Sequence, residues 1–124
     1  MSRRAIAGAA AAAALALPAA AGGAPAPMSV TASPRTQHVL VPVRLRGAHW
    51  KVTAGCARVV RLVLRPTSGD TVRLRAARVR ADGTFAAAWT PPRYTSGAVH
   101  VVAAQICRTR SYLAATSFLV LPTP

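Results

Sequence analysis

The sequence predicts an all-β domain, an antiparallel sandwich of six or seven short strands. Three observations carry that expectation. From residue 38 onward apolar and polar residues alternate with period two. Glycine, proline and aspartate interrupt the alternation at the spacing of a sandwich. No stretch after residue 21 has the periodicity of an amphipathic helix.

The first strand falls in 38–46, where Val39, Val41, Val43 and Leu45 share one face and Arg44 and Arg46 the other. Pro42 cannot donate to a ladder, so this strand is expected at a sheet edge. In 58–65, Val60, Leu62 and Leu64 face inward and Arg61 and Arg65 outward; Val59 and Val63 share the arginine face. In 71–81, Val72 and Leu74 oppose Arg73 and Arg75. The phase then slips, so that Ala77 and Val79 point in and Arg78 and Arg80 out. A one-residue slip predicts a bulge near Arg75–Ala76. Asp82-Gly83 is a turn signal, read as the tip of a hairpin whose second arm, 84–89, turns Phe85, Ala87 and Trp89 inward. The stretch 98–107 is apolar on both faces, which suits a central strand. The last strand runs from Ala114 to Leu121 with Thr116, Phe118 and Val120 inward.

Residues 1–21 have the form of a cleavable signal peptide. Arg3 and Arg4 precede the alanine-rich run Ala5–Leu17, and Ala19-Ala20-Ala21 supplies small residues for cleavage. The apolar run is too short and too rich in alanine to serve as a membrane anchor. "SRRAI" matches a twin-arginine motif only in part. The closing "FLVLPTP" carries no second apolar span and shares only "LP" with a sortase signal. Residues 22–37 are small, proline-bearing and aperiodic, and read as a flexible leader. The folded domain is then expected over 38–122.

Charge is the strongest chemical signal. The chain has sixteen Lys and Arg against two acids, a formal net charge of +14. Removing Arg3 and Arg4 with the signal leaves 14 − 2 = +12. A GC-rich genome explains the excess of Arg over Lys, but not the shortage of acids. A field of one sign points to a partner of the other. Arg44, Arg46, Arg61, Arg65, Arg73, Arg75, Arg78 and Arg80 all have outward parity, and guanidinium binds phosphate and carboxylate bidentately. The expected partner is an anionic polymer bound without sequence preference: a wall polymer, acidic polysaccharide, anionic lipid or DNA. An envelope protein partner is the alternative. With no recognition helix and no aromatic platform, sequence-specific reading of nucleic acid is not expected.

Cys56 and Cys107 are the only cysteines. In an exported chain they are expected to form a disulfide. It would close a loop of roughly 50 residues and stabilise the fold by about 4 kcal/mol. If strands alternate in direction, the two cysteines meet at one end only when 71–81 counts as a single bulged strand.

"VPVRLRGAHW", "CARVVRLVL", "VRADGTFAAAWTPP", "SGAVHVVAAQ" and "TSFLVLP" together resemble the Ig-like domains of secreted and surface proteins of actinobacteria. The resemblance implies an Ig-like antiparallel β-sandwich and an extracytoplasmic location. More distantly, the chain is similar to neocarzinostatin-like apoproteins, which implies an alternative role as a carrier of a small apolar ligand. It lacks their second cysteine pair and has the opposite charge balance. Neither likeness supplies a catalytic residue.

The remaining chemistry is sparse. Asp70 ("SGDT") and Asp82 ("ADGT") sit in turn contexts rather than as a catalytic pair. His38, His49 and His100 have no metal-ligand spacing, and no nucleophile elbow accompanies Ser96 or Ser111. No phosphate-binding glycine loop is present. The expectation is a non-enzymatic protein with no cofactor and no metal. Trp89 shares the inward parity of Phe85 and is expected in the core. Trp50, in "GAHWK", is expected to pack beneath its loop rather than stand exposed.

Overall fold

The computed structural model of the protein describes residues 27–122. The signal region 1–21 lies outside the described residues. Among the described residues there are nine strand segments and no helix: β1 (Ser29–Ser33), β2 (Thr36–His38), β3 (Val43–Ala48), β4 (Val59–Pro66), β5 (Val72–Arg73), β6 (Ala77–Arg78), β7 (Phe85–Trp89), β8 (Gly97–Ile106) and β9 (Ser111–Leu121). They form two sheets, β1-β3-β7 and β2-β9-β8-β4-β5, with β6 also paired to β4. The pairing of β3 with β7 in one sheet and β4, β8 and β9 in the other is the Ig-like arrangement. The core lies between the sheets. Val43, Leu45 and Phe85 on one side meet Val60, Leu62, Leu64, Val99, Val101, Ala103, Phe118 and Val120 on the other.

The inward residues expected for 58–65 and 114–121 are where the alternation puts them, with Thr116 partly buried. Val60, Leu62 and Leu64 are at most 1% exposed, and Phe118 and Val120 are buried. β8 is central, flanked by β4 and β9. The predicted bulge is also present. From Val63 to Val60, β4 advances three residues, while its partner advances four, from Arg73 to Ala77. β5 and β6 are thus two halves of one strand with one extra residue between them.

Three expectations are corrected. The stretch 22–37 is not all leader, because β1 and the start of β2 fall within it. "SVTAS" alternates, Val30 and Ala32 are buried, and β1 pairs along its whole length with β3, from Ser29 opposite Ala48 to Ser33 opposite Arg44. After Ser33-Pro34-Arg35 the chain joins the opposite sheet, where β2 runs parallel to β9. Second, β3 is the middle strand of its sheet, not an edge. Pro42 precedes the strand, so its missing N–H costs no ladder bond. Leu40 has φ 66°, which breaks the alternation and leaves Val41 exposed while Val39 is buried. Third, Asp82-Gly83 forms a tight turn but not a hairpin. Arg80 N–H donates to Thr84 O (2.8 Å) and Gly83 N–H to Arg80 O (2.9 Å). The arms then part, β6 to the sheet of β4 and β7 to that of β3.

Packing explains the parting. The Phe85 ring occupies the space that a side chain at Gly47 would need; a Cβ there would lie 1.9 Å from the ring. Trp50 packs against the same ring at 5.8 Å between centroids and is 3% exposed. Its indole N–H donates to Ser29 O (2.9 Å), so Trp50 is core, as expected. Trp89 is half-buried and meets Phe118 edge-on at 6.2 Å.

Cys56 and Cys107 are disulfide-bonded and face each other across antiparallel chain. Between Arg61, opposite Ala104, and this bridge, the segment before β4 holds two more residues than β8 does. Gln105, fully buried, closes the resulting gap. Its Oε1 accepts from Lys51 N–H (3.0 Å), and its Nε2 donates to Lys51 O and Ala57 O (both 2.8 Å).

Two substitutions test this account. Gln105→Leu strands one N–H and two carbonyls in the interior, and is expected to cost roughly 2–4 kcal/mol in urea unfolding. Gly47→Ala is expected to cost about 3 kcal/mol by overpacking. In a Phe85→Leu background that cost should fall by about 1 kcal/mol or more, a coupling read from a double-mutant cycle.

Candidate anion-binding surface

All eight arginines singled out in the sequence are exposed. They do not share one face. Arg44 and Arg46 project from the outer face of β3, because Val43, Leu45 and Gly47 alternate with them and are buried. Arg61, Arg65 and Arg73 project from the outer face of the other sheet, where Arg73 stands opposite Val63. Arg75 lies in the bulge, Arg78 on β6, and Arg80 at the Asp82-Gly83 turn.

The sheets meet along one side of the sandwich, and this divides the set. Three adjoining depressions of about 580, 490 and 340 Å³ share Ala86 in their walls. Between them they are lined by Arg44, Arg46, Arg75, Arg78 and Arg80. Arg61 and Arg73 instead line a separate hollow over β4 and β5. The structure therefore brings five arginines around β7 and leaves Arg61, Arg65 and Arg73 apart from them.

Register keeps the charges separated. Arg44 stands between Ser33 and Ala88, and Arg46 between Thr31 and Ala86. Arg61 faces Ala104, Arg65 faces His100, and Arg78 faces Val59. None of these arginines has another directly opposite, the arrangement in which like charges cost most.

Sequence reasoning passed over the floor of the β7 surface. Ala86 and Ala88 are exposed, one residue out of phase with Phe85 and Ala87. Their small side chains leave the Arg44 and Arg46 guanidiniums uncovered. Ser29, Thr31 and Thr84 add hydroxyls at the end nearest Arg80. A second basic group was also missed. Lys51 and Arg110 lie over the Tyr112 ring at 5.4 and 5.3 Å from its centre, beside the disulfide. The "CRTR" run after Cys107 was the available signal.

Of the two acids, Asp82 shares a turn with Arg80. The Thr84 hydroxyl donates to its carboxylate at 2.6 Å and the Thr84 N–H at 3.1 Å. The hydroxyl bond first, then the N–H bond, hold its pKa below the ordinary carboxylate value, with a further contribution from the Arg80 charge. Arg80 Nη1 donates to the same Thr84 hydroxyl at 3.3 Å. Ser111 faces Ile106, six residues along β8 from His100 and so about 20 Å away. Ser96 N–H donates to the Ser68 hydroxyl, which itself donates to Ser96 O. Among the described residues no three His, Cys, Asp or Glu side chains gather as metal ligands, and no helix is long and apolar enough to cross a membrane.

A carboxylate with a depressed folded pKa stabilises the fold above its unfolded pKa, and the contribution is lost as pH falls through the folded value. Asp82→Ala is therefore expected to lower Tm at neutral pH. The gap from the parent protein should close below about pH 4. Melting curves across pH check this; a gap that stays constant into acid would assign the effect to the turn backbone instead.

No family model matches this chain. No curated protein matches it either. Among solved structures it is similar to a chain from Corynebacterium diphtheriae named "putative membrane anchored protein", with 11% identity and a TM-score of 0.61. The match covers 88% of this chain and 22% of that one, so this chain spans about a fifth of that protein's length. At this identity the likeness shows a shared fold: this chain has the sandwich architecture of a domain-sized part of that protein.

Proposed function

We propose that this protein is an exported, non-catalytic binding module whose exposed arginines hold an anionic polymer of the cell envelope or its surroundings. One observation carries the reading: eight arginines stand in solvent on a domain with only two acidic side chains. Two carboxylates cannot neutralise them, and Asp82 is already engaged by Thr84. An outside anion relieves the mutual repulsion and gains bidentate contacts. The disulfide fits an oxidising compartment outside the cytoplasm, and the solved relative's name places that protein at a membrane.

The test titrates the disulfide-intact protein with a wall-polymer fragment, heparin and DNA at several salt concentrations. Affinity is expected to fall linearly in log salt, with a slope of about −0.9 per neutralised phosphate on duplex DNA. Absence of binding at low salt, or binding to an envelope protein that salt does not weaken, would overturn the reading.

A further inference from the structure

We infer that the polymer lies along β7, as a single slender chain of the polyol-phosphate type; this rests on the polyanion reading above. The floor is Ala86 and Ala88, whose methyl groups let a chain approach the sheet closely. One bank is Arg44 and Arg46, which stand opposite Ala88 and Ala86 in register. Neighbouring strands are about 4.8 Å apart, and residues two apart on one strand about 7 Å. These two guanidiniums therefore flank the floor at a spacing suited to successive phosphates of one extended chain. The other bank is Arg75 and Arg78, across the open edge of β7. Arg80, with the hydroxyls of Thr31 and Thr84, closes one end.

The edge itself adds donors. Among the described residues β7 pairs only with β3, so its alternate N–H groups point away from that partner toward the second bank. They offer neutral donors to phosphate oxygens between the arginine pairs. The same walls argue against a nucleic acid. Phe85 is the one aromatic residue among them, and it is 1% exposed, so no ring is presented for base stacking. A duplex is too wide for a floor one strand across.

The experiment measures binding of a synthetic glycerol-phosphate oligomer, an oligo-deoxythymidylate of equal phosphate count, and heparin. Two triple variants remove the same charge: Arg44→Gln/Arg46→Gln/Arg78→Gln around β7, and Arg61→Gln/Arg65→Gln/Arg73→Gln on the other face. A third variant, Ala86→Leu/Ala88→Leu, keeps all charges and fills the floor. Each lost phosphate contact should reduce the salt slope by about 1. The β7 triple is expected to weaken glycerol-phosphate binding about tenfold more than the other triple and to flatten its salt dependence. Filling the floor should weaken it with the charge intact. Equal losses from the two triples, no effect of the filled floor, or preference for either other polymer would overturn the placement while leaving the general reading standing. Failure of the parent protein to bind any of the three at low salt would overturn both.

Discussion

The contact between the Phe85 ring and the bare backbone of Gly47 is the constraint on which the rest of the architecture turns. A residue with a side chain at position 47 would hold β7 off β3, and a small residue at 85 would leave a void beneath Trp50. With the ring seated there, β7 is drawn away from the bulged strand that precedes it and registers on β3. That register sets Ala86 beside Arg46 and Ala88 beside Arg44. A packing event in the interior thus decides what the outer surface presents.

Much of the fold was legible because period-two alternation leaves little freedom. The inward triad Val60, Leu62 and Leu64, the phase slip at Arg75–Ala76 and the disulfide could all be read from residue order. What failed to show had physical causes. β1 was hidden because its inward residues, Val30 and Ala32, are few and sit among prolines. The central position of β3 was masked by Pro42, which lies one residue outside the strand. The partition of the Asp82-Gly83 turn between two sheets depends on Gly47, far off in sequence, and no local signal encodes it. For the candidate surface, outward parity identified which arginines are exposed. It could not group them, because parity gives a face but not a sheet.

The arrangement also shows how a chain of this charge keeps a small sandwich intact. No ladder-paired arginine of the set stands opposite another Arg or a Lys, so repulsion among these groups acts between diagonal or more distant positions, where water and salt weaken it. The cohesive part of the molecule is the long β4-β8-β9 ladder, tied at one end by the disulfide and by the Gln105 amide. Of the arginines around β7, Arg44 and Arg46 sit on the smaller sheet, while Arg75 and Arg78 belong to the bulged strand that pairs with β4.

The placement of β1 and β9 has a mechanical consequence. Both strands start at the disulfide pole: Ser29 O holds the Trp50 indole there, and Ser111 pairs with Ile106 next to Cys107. β9 ends at the other pole, with Leu121 beside His38. Tension applied between Ser29 and Leu121 would run along the long axis of the sandwich. The parallel β2–β9 bonds would be loaded in shear and would have to break together rather than peel one by one. A module pulled between these two points therefore resists stretching along its long axis.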